Sequence, residues 1–179
     1  MPTYIAMLRG INVSGQKMIK MDALRQMFDN MGFADAKTYI QSGNVVFKTK
    51  KTTNATLEKK IHDQIEKTFG FDVPVIIRDT AEMNKVIETN PYLQKGEDLA
   101  RLYITFLDSE PNADQLQKIQ DLSFPPDKFE LIGKEIYLCV YNGYGNSKLS
   151  NNLFEAKLKL KATTRNWKTV NELVRMCKE

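Results

Sequence analysis

Apolar residues along the chain recur at two spacings, one typical of strands and one typical of helices. In the first half, short apolar runs predict four strands, at residues 4–9, 36–41, 44–49 and 73–78. Apolar positions at helical spacing predict three helices, at residues 20–31, 54–69 and 80–89. Asn54 or Thr56 is suited to cap the second of these helices, and Gly32 follows the first where a helix commonly ends.

The second half of the chain predicts nearly the same order of elements. Apolar runs predict strands at residues 102–107, 128–132 and 135–141. Helical spacing predicts helices at residues 112–122, 150–160 and 165–178, with Thr164 as the cap of the last one. Short stretches also match in the same order, such as Tyr-Ile-Ala-Met-Leu at 4–8 and Tyr-Ile-Thr-Phe-Leu at 103–107. The sequence therefore indicates an internal duplication.

The order of elements predicts an α+β protein of two ferredoxin-like, or split βαβ, pseudo-repeats. We expect a first half at 1–88, a connector at 89–100 and a second half at 101–179 with an extra C-terminal helix. Strand runs such as residues 4–8 are apolar on both faces, whereas a sheet with one wet face alternates. We therefore expect helices to cover one face of each sheet and the other half of the chain to cover the second, in one compact unit.

The same topology brings two polar corners together. Right-handed crossovers make strands one and two parallel, with strand three antiparallel between them, so the first strand ends beside the hairpin turn. Arg9 and Asn12 should therefore lie near Ser42 and Asn44. The guanidinium of Arg9 is suited to bind phosphate or carboxylate. Two alternatives stay open: Arg9 paired with local protein groups, and ordinary turn chemistry for Ser42 and Asn44.

A Gly-rich stretch at residues 142–149 places Ser147 and Lys148 before a helix. Backbone N–H groups at such a position can form a phosphate nest, so these two residues are a secondary candidate site. The spacing is not that of a Walker A loop, which disfavours ATP hydrolysis. The alternative is a flexible loop in which Ser147 or Ser150 caps the helix.

Arg165 and Asn166 open the last predicted helix. Because an arginine at a helix N-terminus is unfavourable with respect to the helix dipole, we expect Arg165 to serve a partner, either an acidic group or an anionic ligand. We further expect Arg165 or Asn166 to join the corner of Arg9 and Asn44 in one composite polar site.

Composition excludes several classes of protein. With 26 basic and 22 acidic residues the net charge is +4, which is mild for a dedicated DNA-binding protein. No apolar run is long enough to span a membrane, and the first residues do not have the pattern of a signal peptide. The single histidine, His62, argues against a histidine-rich metal site, so we expect no metal site, and the sequence leaves any cofactor unknown. Cys139 and Cys177 are typical of small core residues in a reducing cytoplasm.

Three stretches carry a resemblance to a known family: Leu-Arg-Gly-Ile-Asn-Val at 8–13, Thr-Tyr-Ile-Gln-Ser-Gly-Asn-Val-Val-Phe at 38–47, and Ala-Thr-Thr-Arg-Asn-Trp-Lys-Thr-Val at 162–170. Together they resemble the DUF1697 family of uncharacterised bacterial proteins. The family pattern usually opens the first loop with paired glycines, where this chain has Ser14-Gly15. The resemblance implies an α+β fold with ferredoxin-like halves and leaves the activity open.

We expect the protein to bind an anionic ligand bearing phosphate or carboxylate, such as a nucleotide or nucleic acid, at Arg9, Asn12, Ser42 and Asn44. One alternative is an enzyme acting on a small phosphorylated or carboxylated metabolite, although none of these motifs contains an obvious general acid or base. Another is a structural or protein-interaction module. RNA recognition through an open sheet is disfavoured, because the third strand lacks the exposed aromatic signature.

Overall fold

A computed structural model describes all residues from 1 to 179 and divides into two compact units. The first unit comprises Met1–Asn84 together with Glu172–Glu179, and the second comprises Lys85–Asn171. No helix combines the length and the apolar composition that crossing a bilayer requires.

The first pseudo-repeat contains four strands and three helices. In chain order they are β1 (Thr3–Leu8), α1 (Met21–Asn30), β2 (Ala34–Tyr39), β3 (Asn44–Lys48), α2 (Asn54–Phe69), β4 (Val75–Asp79) and α3 (Thr80–Glu88). The strands form one sheet in the order β2-β3-β1-β4, with every neighbouring pair antiparallel. This is the ferredoxin-like arrangement that the sequence predicts.

The second pseudo-repeat follows the same plan. Its elements are α4 (Pro91–Gln94), a 3-10 turn (Leu99–Arg101), β5 (Leu102–Leu107), α5 (Ala113–Gln120), β6 (Lys128–Ile132), β7 (Glu135–Cys139), a 3-10 turn (Tyr144–Asn146), α6 (Asn151–Leu158), β8 (Ala162–Asn166) and α7 (Trp167–Met176). The second sheet has the order β6-β7-β5-β8, again with every neighbouring pair antiparallel. The α+β fold is confirmed, and two halves of like topology are consistent with a duplication.

The prediction of one helix over 165–178 is wrong, because β8 occupies its first residues. β-Branched Thr163 and Thr164 favour a strand, and β8 pairs with β5 in the position that β4 takes beside β1 in the other sheet. The cap of α7 is therefore Asn166, whose Oδ1 accepts a hydrogen bond from Thr169 N at 2.8 Å, rather than Thr164. α7 follows β8 as α3 follows β4, so it is part of the repeat and not an addition to it.

Apolar residues on one side of the first sheet pack with α1 and α2. Tyr4, Ala6 and Leu8 of β1 belong to this core, and α2 contributes Leu57, Ile61 and Ile65. Helix α2 is capped by Thr53, whose Oγ1 accepts from Thr56 N at 3.1 Å, rather than by Asn54 or Thr56 as expected.

The opposite face of β1 is also buried. Ile5 and Met7, which point away from the helix-packed core, are each 0% exposed, as the continuous apolar run predicts. The identity of what covers this second face stays a prediction.

Candidate functional site

The end of β1 lies beside the turn between β2 and β3, as the topology predicts. Leu8 N donates to Gly43 O at 2.9 Å, and Asn12 Nδ2 donates to Gln41 O at 2.8 Å. Arg9 N donates to Pro74 O at 3.0 Å, which adds the α2–β4 loop to the same end of the sheet. We call residues 9–12 and 41–44 the hairpin corner.

Asn12 holds the long β1–α1 loop, residues 9–20, in its folded path. Its Oδ1 accepts from Ile19 N at 2.8 Å, and its Nδ2 donates to Ile19 O at 3.0 Å as well as to Gln41 O. Its φ of 55° lies in the left-handed region, which Asn tolerates better than most residues. Asn12 therefore has a structural role at the hairpin corner, whether or not it also touches a ligand.

Asn44 and Ser42 also make local contacts in the turn. Asn44 is 0% exposed, and its Nδ2 donates to Tyr39 O at 3.0 Å and to Ser42 Oγ at 3.2 Å. Buried amides of this kind fix a turn, so for Asn44 the geometry favours the alternative of ordinary turn chemistry. Ser42 and Arg9 are both half-buried, so part of each residue remains accessible at the corner.

Gly43 allows the two parts of the corner to approach each other. Its φ is 89°, and a Cβ built on it would lie 2.6 Å from Ile11 Cδ1 and 3.0 Å from Leu8 Cβ. Only glycine combines that backbone conformation with such a short approach.

A groove adjoins the corner at the start of α1. We call it the α1 groove; it has a volume of about 770 Å³ and is lined by Asn12, Met18, Lys20, Asp22, Arg25 and Gln41, among others. Lys20 is the N-cap residue of α1, and its side chain makes no capping hydrogen bond. The backbone N–H groups of the first helical turn therefore lack the side-chain acceptor that a cap provides.

In the second pseudo-repeat, a much shorter loop connects the corresponding strand and helix. At the matching corner, Leu107 N donates to Lys134 O at 3.0 Å and Asp108 N donates to Lys161 O at 3.1 Å. The β5–α5 loop needs only residues 108–112, and Asn112 forms a capping box with Gln115. The β1–α1 loop is longer by seven residues, lacks that cap and carries Arg9 where its counterpart carries Asp108.

Lys20, Arg25 and Gln41 line the α1 groove but are not among the ligand-binding residues that the sequence predicts. One signal was present for Lys20, since a lysine stands where Ser, Thr, Asp or Asn is usual before an amphipathic helix. Gln41 belongs to the hairpin turn that the topology places beside the end of β1. For Arg25 the sequence offers no signal, because its place in the groove depends on how the loop folds.

The secondary candidate, Ser147, is engaged with an aspartate. Ser147 Oγ donates to Asp127 Oδ2 at 2.8 Å, and Asp127 Oδ1 accepts from Tyr141 N at 2.9 Å. Lys148 Nζ lies 5.8 Å from the centroid of the Phe124 ring. Ser150, not Ser147, caps α6 through Leu153 N at 3.2 Å. These contacts fasten the Gly-rich loop to the loop before β6.

A carboxylate of the connector, Glu97, forms a second polar cluster in the second unit. Glu97 Oε1 accepts from Lys128 Nζ at 3.1 Å, and both of its carboxylate oxygens accept from Tyr141 Oη at 3.0 Å. Hydrogen bonds from Lys128 and then from Tyr141 lower the pKa of the Glu97 carboxyl. Desolvation, followed by the bond to Glu97, raises the pKa of Tyr141. The cluster holds the connector against β6 and against the segment that follows β7.

Arg165 lies in β8 and is buried. Its Nη1 donates to Thr163 Oγ1 at 2.7 Å and to Thr164 O at 3.0 Å, and desolvation lowers its pKa to about 10. It pairs with Ile104 of β5 as buried Arg78 of β4 pairs with Ile5 of β1, so both sheets carry an arginine at the same position. Asn166 caps α7. The expectation that these residues join the hairpin corner in a composite site stays a prediction.

Comparison with known proteins places the chain in a family without a known activity. The model of the family described as "Protein of unknown function (DUF1697)" matches residues 1–137, so the stretch at 162–170 lies beyond the matched region. No curated protein is similar enough to match. Among solved structures, a conserved bacterial protein, SP0830 from Streptococcus pneumoniae, is similar in fold, with a TM-score of 0.80 and 24% identity over 98% of each chain. With 137 of its 179 residues matched, the chain belongs to the DUF1697 family.

Proposed function

We propose that the protein binds an anionic ligand bearing phosphate or carboxylate, such as a nucleotide or a nucleic acid, in the α1 groove. The observation that carries this proposal is the lengthened β1–α1 loop, which meets the hairpin through Asn12 and Gln41 and leaves a groove at the uncapped start of α1. The second pseudo-repeat makes the same connection without these features, so the fold itself does not require them.

The charges around the groove favour an anion. Lys20 stands at the N-terminus of α1, where the helix dipole and the first N–H groups also attract negative charge. Arg25 Nη1 pairs with Asp29 Oδ2 at 2.8 Å, but an exposed i,i+4 pair contributes only about 0.3–0.5 kcal/mol, so Arg25 can turn toward a ligand. Asp22 also lines the groove and repels an anion close to it, so we assign the anionic group to Lys20 and Gln41.

Arg9 completes the proposed site from the hairpin corner. It is half-buried at the end of β1, and the matching position of the second pseudo-repeat carries Asp108. Asn12, Ser42 and Asn44 hold the corner in shape. Arg9, Asn12, Gln41 and Ser42 contact the ligand directly. Arg165 and Asn166 would contact the ligand only if they join this corner in the composite site predicted above. Ser147 and Lys148 form a separate, secondary candidate site.

An enzyme acting on a small phosphorylated or carboxylated metabolite is the second candidate function. Asp22 supplies the one carboxylate among the residues lining the α1 groove, and it lies in the first turn of a helix. General acid–base chemistry usually needs a group whose pKa is shifted toward neutrality by burial or by neighbours. Asp22 is exposed, so we favour binding over catalysis.

The setting that we propose is the cytoplasm of a bacterium. Cys139 is buried and Cys177 half-buried, both are free thiols, and desolvation raises the pKa of each. Thiols in this state suit a reducing compartment and small core roles.

The test is a binding panel on the intact protein, using inorganic phosphate, nucleoside mono- and triphosphates, single-stranded RNA and phosphorylated sugars. We expect a rise in melting temperature with at least one nucleotide or oligonucleotide, and a loss of that rise in Lys20→Ala. Lys118→Ala is the matched control, because Lys118 is an exposed helical lysine of the second pseudo-repeat. No response of the wild type to any member, or an equal loss in both variants, would contradict the proposal.

A further inference from the structure

A cluster of metal-binding groups lies in the first unit, outside the α1 groove. His62 and Glu66 are four residues apart on α2, so they share one face of the helix, and Asp72 follows in the loop before β4. The imidazole nitrogen and the two carboxylate oxygens lie within 4.8 Å of one another. The sequence predicted no metal site because it contains one histidine, but the fold adds two carboxylates to that histidine.

The histidine ring is already oriented by its neighbours. His62 Nε2 lies 2.6 Å from Asp72 Oδ1, while His62 Nδ1 lies 3.1 Å from Asp63 Oδ1. Asp63 is held in turn by Lys59, whose Nζ donates to Asp63 Oδ2 at 2.8 Å. A carboxylate on one ring nitrogen, with the other nitrogen directed at further ligands, is the arrangement found around histidines that bind metals.

The loop that carries Asp72 is held in place from outside the cluster. Lys17 Nζ donates to the backbone O of Asp72 at 2.6 Å, and Pro74 O accepts from Arg9 N at 3.0 Å. Asp72 is therefore fixed in position while its side chain and that of Glu66 remain exposed. Ligand atoms lie about 2.0–2.2 Å from a bound Zn²⁺ ion, so the two exposed carboxylates must rotate toward the ion when it binds.

We propose that His62, Glu66 and Asp72 bind a divalent transition-metal ion, Zn²⁺ or Mn²⁺, with water in the remaining positions. An imidazole ligand favours these ions over Mg²⁺ and Ca²⁺, which prefer oxygen alone. Binding displaces any proton shared between His62 and Asp72 and ties the C-terminal half of α2 to the loop before β4. The site is independent of the anion proposed for the α1 groove.

The experiment titrates the intact, chelator-treated protein with Zn²⁺, Mn²⁺ and Mg²⁺ by calorimetry, with Co²⁺ absorption as a report on the ligands. We expect one Zn²⁺ per chain, weaker Mn²⁺ and no Mg²⁺, and at least about tenfold weaker Zn²⁺ binding in each of His62→Gln, Glu66→Gln and Asp72→Asn. Asp63→Asn tests the orienting carboxylate and should weaken binding less.

Two controls keep the result specific. Glu110→Gln removes an exposed carboxylate elsewhere and should bind Zn²⁺ like the wild type, and so should Cys177→Ser, which removes the half-buried thiol. Circular dichroism checks that each variant is folded. Absence of Zn²⁺ binding by the wild type, or unchanged binding in the His62, Glu66 and Asp72 variants, would overturn the proposal.

Discussion

Lys20 and Asn112 occupy the same position in the two pseudo-repeats, the N-cap of the first long helix, and only Asn112 caps its helix. Asn112 Oδ1 accepts from Gln115 N at 2.9 Å, and Gln115 Oε1 accepts from Asn112 N at 2.8 Å. The residue before α1 is Lys20. Its backbone is extended, as an N-cap residue requires, but its side chain contains no hydrogen-bond acceptor. A stabilising interaction used in one half is therefore absent from the half that holds the α1 groove.

Replacing that lysine with a capping residue should separate stability from binding. Lys20→Asn is expected to raise the free energy of unfolding by about 0.5–1 kcal/mol, because the new amide oxygen accepts from a first-turn N–H. The same change should weaken anion binding, since the oxygen occupies those N–H groups and a positive charge is lost. Urea unfolding and the binding panel measure the two effects, and Asn112→Ala, which should cost about 0.5–2 kcal/mol, calibrates the first.

Asn12→Ala should destabilise the protein by about 2–4 kcal/mol. The variant loses the hydrogen bonds to Ile19 and Gln41. It also places alanine at a φ of 55°, a left-handed conformation that asparagine tolerates better because its side chain forms local hydrogen bonds. Asn12→Gly removes the same bonds and relieves the backbone, so it should cost about 1 kcal/mol less. Urea unfolding compares them, and a cost below about 0.5 kcal/mol for Asn12→Ala would show that the loop is not held by this side chain.

Gly43→Ala should cost more than Gly10→Ala, although both glycines have a positive φ. A Cβ on Gly10 meets nothing within 4 Å, so its substitution carries only the left-handed penalty of about 1–2 kcal/mol. A Cβ on Gly43 collides with Ile11 and Leu8 as well. Thermal unfolding ranks the two variants. Equal losses of stability would mean that the Ile11 side chain moves away from the new Cβ at no cost in free energy.

Glu97 should contribute to stability at neutral pH and cease to do so in acid. Its pKa is lowered in the folded protein by Lys128 and Tyr141, so folding favours the ionised form, and that contribution is lost as pH falls through the folded pKa. Glu97→Gln should therefore reduce stability at pH 7 and flatten its decline between about pH 5 and pH 3. Urea midpoints across this range measure it, with Glu110→Gln as an exposed control that should keep the slope of the wild type.

Much of the fold follows from local pattern. The run at residues 4–8 and the amphipathic spacing of Leu57, Ile61 and Ile65 predict strand and helix because burial dictates period two or period 3.6. Strand β8 was missed because Thr163, Thr164, Arg165 and Asn166 are polar and precede a strongly amphipathic helix. Its strand state comes from pairing with β5, a long-range interaction that a local pattern does not record.

The contacts of the candidate site are likewise only partly predictable from the sequence. The convergence of Asn12 and Gln41 was predictable, because it depends only on topology and handedness. Three other features depend on loop conformation. They are the burial of Asn44, the path that places Lys20 and Gln41 in one groove, and the approach of Asp72 to His62. Sequence spacing alone carries no information about these contacts.

The central claim is that the start of α1 binds an anion, and a ¹H–¹⁵N correlation titration of the intact protein tests it most directly. With inorganic phosphate or a nucleotide as the probe, the account predicts saturable shifts of the amides of Met21, Asp22 and Ala23 and of the Gln41 side chain, which Lys20→Asn abolishes and Lys118→Ala preserves. Saturable shifts confined to other residues, or no saturable shift with any probe, would contradict it.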